Sequence, residues 1–259
     1  MNKKDLIKHL KAEIDEDVYI PPHYFLPQDE TKSASTNSTQ ENIVQDHINN
    51  KETDISNAEK LKELEDTVKN CKKCQLGLSR INAVFGVGNP HADLMFVGEG
   101  PGWDEDHKGE PFVGRAGQLL DKILASIELD RTKVYIANIV KCHPMINPTN
   151  PDNRGNDRPP NTDEISACRS YLEEQIRIIK PKCLVTLGNT ATRFMLNETK
   201  GVSVLRGKFY NLPLSFVFDF DIKVFPTYHP AALLRNPSLK RDVWNDMKML
   251  RDWLKDIKQ

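Results

Sequence analysis

The sequence predicts an α/β protein: a single three-layer domain whose central, mainly parallel four-stranded sheet lies between helices. Two observations carry this expectation. Four short apolar runs, Leu94–Val97, Val134–Ala137, Leu184–Leu187 and Ile222–Phe225, have the length of buried strands. Around them, apolar residues recur at helical spacing in Leu119, Leu120, Ile123, Leu124 and Ile127, around Tyr171–Ile179, and in Val243, Met247, Leu250, Leu254 and Ile257. Short apolar strands alternating with amphipathic helices form a parallel sheet covered on both faces. Such sheets bind ligands beyond the carboxyl ends of their strands. The segments after Val97, Ala137, Leu187 and Phe225 are therefore the places to search.

The chain divides into an N-terminal extension, residues 1–55, and a globular domain, residues 56–259. In the extension, Leu6, Ile7, Leu10 and Ile14 predict a short amphipathic helix. From about Pro27 to Asp54 the chain is rich in Ser, Thr, Asn and Gln and poor in large apolar groups. Such a stretch buries too little surface to offset its ordering entropy and reads as a disordered linker. Leu61, Leu64 and Val68 then share one face of a helix ending near Cys71.

With 36 basic and 37 acidic residues, the chain has no global basic field of the kind that marks many nucleic-acid binders. No apolar run approaches the roughly 20 residues that cross a membrane. The N-terminus lacks the apolar core of a secretory signal, which points to the cytoplasm. In that compartment, paired cysteines more often mean metal or redox chemistry than disulfides. Cys71-Lys-Lys-Cys74 follows a helix and alone leaves zinc, an iron–sulfur cluster and a redox dithiol open. Cys142 follows a strand and Cys168 lies in the next helix, so both could meet the pair in space. Cys183, inside an apolar run, reads as a buried small hydrophobe.

The first predicted strand runs into Gly98-Glu-Gly-Pro-Gly102. This is neither the dinucleotide fingerprint, since Trp103 stands where the third glycine belongs, nor a Walker loop. Its glycines let backbone N–H groups approach a ligand, and the acids around it argue against phosphate. Asn138 ends the second strand, His229-Pro230 follows the last, and Phe112 lies in a loop soon after the glycine turn. A carboxamide, an imidazole, an aromatic ring and free backbone amides are what a planar heterocycle needs for its edge, carbonyl and face.

These residues resemble the family 4 uracil-DNA glycosylases, which contain a [4Fe-4S] cluster. The resemblance runs from about Leu61 to the C-terminus and rests on five ordered motifs: CKKC, GEGPG, GEPFVGRAGQLL, IANIVKCHP and YHPAALLRNP. It implies a uracil-DNA glycosylase-like fold over residues 56–259. The implied activity is removal of uracil from DNA by hydrolysis of its N-glycosidic bond, in base excision repair. The resemblance implies further that Cys71, Cys74, Cys142 and Cys168 ligate the cluster, that Gly98, Glu99 and Gly100 line the uracil pocket, and that Phe112 stacks on the base. Asn138 would read the uracil edge and His229 contact its O2. The water activator stays open between Glu99 and Asn138, and Glu105 is the candidate for excluding the thymine methyl.

Leu233 and Leu234 would wedge into the vacated stack, with Arg235, Lys240 and Arg241 near phosphates. A helix start that packs these leucines inward is the competing reading. The expected partner is uracil-containing DNA, single- or double-stranded, met by a monomer. The sequence departs from the family pattern at Trp103, in the long segment between Cys142 and Cys168 (PMINPTNPDNRGNDRPP), and over residues 1–55. Two other functions fit part of the pattern: a nucleotide-binding protein with a structural zinc site made of four cysteines, and a non-catalytic DNA-binding module.

Overall fold

The computed structural model describes residues 56–258. The helix expected at Leu6–Ile14 and the linker expected over Pro27–Asp54 lie outside the described residues. The fold opens with α1 (Asn57–Lys69), started by a reciprocal cap in which Ser56 Oγ accepts from the Glu59 N–H and Glu59 returns a carboxylate to the Ser56 N–H. A single helical turn, α2 (Leu76–Ser79), follows. Then come β1 (Val87–Gly88), β2 (Leu94–Gly98), α3 (Trp103–Lys108), α4 (Arg115–Ala125), β3 (Tyr135–Asn138) and α5 (Thr162–Ile179). The second half holds β4 (Cys183–Leu187), α6 (Gly188–Leu196), α7 (Val202–Leu205), β5 (Tyr210–Asn211), β6 (Lys223–Thr227), α8 (Pro230–Arg235) and α9 (Lys240–Asp256).

The sheet has six strands in the order β1-β3-β2-β4-β6-β5. Its inner four are parallel and are the four read from sequence. The outer two, each of two residues, pair antiparallel at the edges and are too short to leave a periodic signal. Successive residues of a strand face opposite sides, and this alternation splits the core into two layers. Met95, Val97, Tyr135, Ala137 and Leu184 pack on the side of α1 and α5. Leu94, Phe96, Ile136, Val185 and Phe225 pack on the side of α4 and α9. Cys183 is fully buried on β4, as expected. Among the described residues no helix is long and apolar enough to cross a membrane.

Candidate active site at the carboxyl ends of the strands

Parallel pairing sets Gly98, the last residue of β2, beside Asn138, the last of β3. A Cβ at Gly98 would lie 2.4 Å from Asn138 Oδ1 and 2.6 Å from the Phe112 ring, so no other residue fits between these two groups. Beyond the strand ends opens a cavity of about 610 Å³, lined by Glu99, Gly100, Phe112, Asn138, Tyr228 and His229 among others. Gly98, expected to line the pocket, is not among its lining residues but stands against two that are, Asn138 and Phe112. Thr190, at the start of α6, donates its hydroxyl to Glu99 Oε2 and holds that carboxylate at the wall. The carboxyl-end rule marks the segment after Leu187 for search, but only the folded chain singles out Thr190.

His229 is the N-cap of α8, with Pro230 in the first turn. Its Nδ1 accepts from the Ala231 N–H at 3.1 Å, which leaves the proton of the neutral ring on Nε2. Burial, with help from the Arg235 charge, pushes its pKa down to about 4, so the ring is neutral at physiological pH. The ring centroid lies 5.5 Å from that of Phe112.

Phe112 has a left-handed backbone, φ 55°, unusual for a bulky residue. Two side chains brace it. Arg131 donates to the Pro111 carbonyl at 3.0 Å and to the Phe112 carbonyl, and is itself held by Asp121 at 2.7 Å. Glu105 accepts from the N–H groups of Val113 and Gly114 at 2.9 and 3.0 Å, and from Gly102 at 3.1 Å. One carboxylate thus ties the glycine turn to the aromatic loop. Glu105 lines the cavity, as its expected role against thymine requires, but both of its oxygens are engaged with backbone.

Of the two leucines expected to wedge into DNA, Leu233 is 2% exposed and packs in the core, whereas Leu234 is 40% exposed. The helix rotates by about 100° per residue, which turns these neighbours to different sides. The inward-packing reading therefore holds for Leu233. Arg235 lines the cavity mouth and is exposed, as are Lys240 and Arg241.

On the other layer, Cys71, Cys74, Cys142 and Cys168 all border one core region between α1 and α5. N–H groups point at three of their sulfurs: Arg80 Nη1 at 2.9 Å from Cys142, the Lys141 amide at 3.3 Å from Cys168, and the Lys73 amide at 3.5 Å from Cys71. Burial pushes the Cys142 thiol up to about 12, and the nearby Cys168 and Cys74 add to the rise while Arg80 opposes it. Four soft sulfurs with N–H donors around them form a donor set suited to zinc or an iron–sulfur cluster. Among the described residues no three His, Cys, Asp or Glu side chains close on a single ion.

The long segment between Cys142 and Cys168 closes on itself at its base. Ile146 N–H donates to the Asn156 carbonyl at 2.8 Å and Arg158 N–H to the Pro144 carbonyl at 3.1 Å. Arg158 pairs with Glu164 at 2.6 Å, at the start of α5. His143, fully buried, lies between Asp157 at 2.6 Å and Asp106 at 3.6 Å. Burial opposes its charge, but the two carboxylates outweigh it and raise its pKa to about 9. At the tip, the Arg154 guanidinium lies 3.8 Å over the Trp103 ring, and the Trp103 indole donates to the Asp152 carbonyl at 3.0 Å. Two departures from the family pattern, Trp103 and the long segment, thus pack on each other.

The family model described as Uracil DNA glycosylase superfamily matches residues 85–248, which span the sheet and the cavity. The chain is 43% identical over 200 residues to the type-4 uracil-DNA glycosylase of Sulfurisphaera tokodaii, covering 74% of this chain and 84% of that protein. Identity to the type-4 enzyme of Saccharolobus solfataricus is 41%, over 73% of this chain and 84% of the relative. For that of Archaeoglobus fulgidus it is 40%, over 74% and 92%. The chain belongs to the type-4 uracil-DNA glycosylases.

Proposed function

We propose that this chain hydrolyses the N-glycosidic bond of deoxyuridine in DNA, releasing uracil and leaving an abasic site for base excision repair. The observation that carries the reading is the meeting of Asn138, Phe112 and a neutral, Nε2-protonated His229 at one cavity. In this reading residues 56–259 are the glycosylase domain and residues 1–55 an extension to it.

The uracil must first leave the base stack. Leu234, exposed on α8, fills the gap, and Arg235, Lys240 and Arg241 lie along the phosphates. The flipped ring stacks on Phe112. The Asn138 carboxamide accepts from uracil N3–H and donates to O4. Cytosine presents the opposite pattern and is refused, because a carboxamide held in one orientation would face it donor to donor.

As the glycosidic bond breaks, both bonding electrons go to the base and positive charge grows on the sugar. His229 donates its Nε2–H toward uracil O2, where negative charge develops, with backbone N–H groups of the glycine turn beside it. Water adds to the anomeric carbon, and the proton it releases balances the one gained by the departing uracil anion, which is freed as neutral uracil. Glu99, held by Thr190, adds a carboxylate near the cationic sugar. It shares with Asn138 the candidacy for orienting the water.

A [4Fe-4S] cluster held by Cys71, Cys74, Cys142 and Cys168 would staple the end of α1 and the 142–168 segment to the domain. The chemistry assigned to the pocket asks no electron transfer of it. The experiment is incubation of the purified protein with a uracil-containing oligonucleotide, then alkali. Strand cleavage at the uracil is expected, and an intact strand would refute the reading. Four irons per chain and a brown colour are expected alongside, whereas a colourless zinc protein would overturn the cluster assignment.

A further inference from the structure

Lys141 belongs to neither the pocket nor the thiol set, yet it touches both. Its side chain is completely buried. Its Nζ donates to the Asn138 backbone carbonyl at 2.8 Å and to Gln175 Oε1 at 2.5 Å. Its backbone N–H donates to Cys168 Sγ at 3.3 Å, and Cys142 is the next residue in the chain. Gln175 is itself buried and fixed, since its amide nitrogen donates to the Phe85 carbonyl at 3.0 Å and meets the Tyr135 hydroxyl at 3.2 Å. The acceptor end of Gln175 is thereby turned toward the ammonium.

A buried ammonium is costly unless opposite charge and hydrogen bonds compensate it. Both side-chain hydrogen bonds of Lys141 go to neutral oxygens. The sulfurs beside it are that of Cys168, which its own backbone N–H meets, and that of Cys142, the next residue, and both would carry negative charge as cluster ligands. Four thiolates around a [4Fe-4S] core form a net anion, and such an anion compensates a cation at this position.

We propose that Lys141 is a positioning residue that couples the metal-binding thiols to base recognition. The anionic sulfur assembly holds the ammonium, and the ammonium fixes the Asn138 peptide carbonyl. The direction of the Asn138 carboxamide is thereby set. This inference rests on the reading of Asn138 as the base-contacting residue and of the four cysteines as cluster ligands.

The test uses full-length protein carrying Lys141→Met, which keeps an unbranched apolar stem and removes the charge. Iron and sulfide are measured first, so that rates are compared at equal cluster content. Excision of uracil from a single-stranded oligonucleotide under single-turnover conditions is expected to fall about 10- to 100-fold, as misplacement of a contact group near the reacting centre does. Binding of a uracil-free oligonucleotide is expected to stay unchanged. The reduction midpoint of the cluster is expected to move to more negative potential, because the reduced cluster loses a neighbouring cation. A lysine that merely filled space would not move that potential.

Wild-type rate and potential in Lys141→Met would overturn the proposal. If Lys141→Met does not fold, Gln175→Leu carries the test: it keeps the charge but removes one of its two anchors. Slower excision at unchanged iron content is expected of it, and wild-type excision would overturn the proposal. Asn138→Ala is run beside both. Wild-type excision by Asn138→Ala would overturn the pocket reading itself, whereas inactive Asn138→Ala beside fully active Lys141→Met would overturn only the coupling.

Discussion

The pocket and the thiol corner lie on the same domain but are built differently. In the pocket, Gly98 and Asn138 stand at the ends of neighbouring strands, and His229 caps the helix that follows a third. Their spacing follows from sheet pairing and from a single cap, and a missing Cβ at Gly98 supplies the room. At the thiol corner, the sulfurs come from the segment after α1, the segment after β3 and the middle of α5. No shared ladder sets their separation, and donors such as Arg80 and the Lys141 amide fix them one at a time. A strand-end site therefore resists changes around it but not within it. The corner depends on what its sulfurs bind.

The largest expected effect within the pocket is that of Asn138→Asp. It offers only acceptors, leaves uracil O4 without a donor and should lower excision by about 10⁴-fold, the range seen when a hydrogen-bonding site loses its match. Single-turnover kinetics on a uracil oligonucleotide check this, and a loss under about tenfold would remove Asn138 from base recognition.

His229→Ala comes next, with a predicted loss of about 10²–10³ in the same rate, typical of one donor to a developing oxyanion. The wild-type rate should show no His229 inflection near 6.5, because burial keeps the ring neutral down to about 4. An inflection near 6.5 that vanishes in His229→Ala would contradict this. For stability the sign is opposite to that of an ion-paired histidine. The unfolded chain binds a proton at this ring near 6.5 and the folded chain only near 4, so stability from this group is present above 6.5 and falls as the pH drops toward 4.

Glu105→Ala sharpens the comparison from the scaffold side, since it removes the acceptor of three backbone N–H groups. A loss on the order of 2–3 kcal/mol in denaturant unfolding is expected, along with weaker excision as the Phe112 loop loosens. Unchanged stability would mean that water replaces the carboxylate without cost. Smallest is Arg154→Ala, which removes an exposed stack on Trp103 worth about 0.5–1 kcal/mol. Excision by this variant should match wild type, and a loss of about tenfold would bring the tip of the 142–168 segment into the reaction.

Much of this could be read from the chain itself. The four inner strands are visible as apolar runs, and the carboxyl-end rule points to the segments that hold Asn138 and His229. Other parts carried no local signal. The edge strands exist only as two-residue pairings with a neighbour. Helix α3, Trp-Asp-Glu-Asp-His-Lys, has no apolar stripe and forms because Glu105 and Asp106 find distant backbone donors. Nothing in the sequence marks Lys141 as buried, and only folding shows it sealed between Asn138 and Gln175. Leu233 and Leu234 look alike in a row, and the phase of a six-residue helix decided between them.

The self-closing base of the 142–168 segment has a consequence for how this chain tolerates change. Because Pro144, Ile146, Asn156 and Arg158 bond to one another, the span from Cys142 to Cys168 is set at the neck of the hairpin and not by the residues at its tip. Changes of length within the intervening turn, 147–155, are therefore expected to leave the spacing of the cysteines on either side as it is, at the cost of the contacts the tip makes with Trp103.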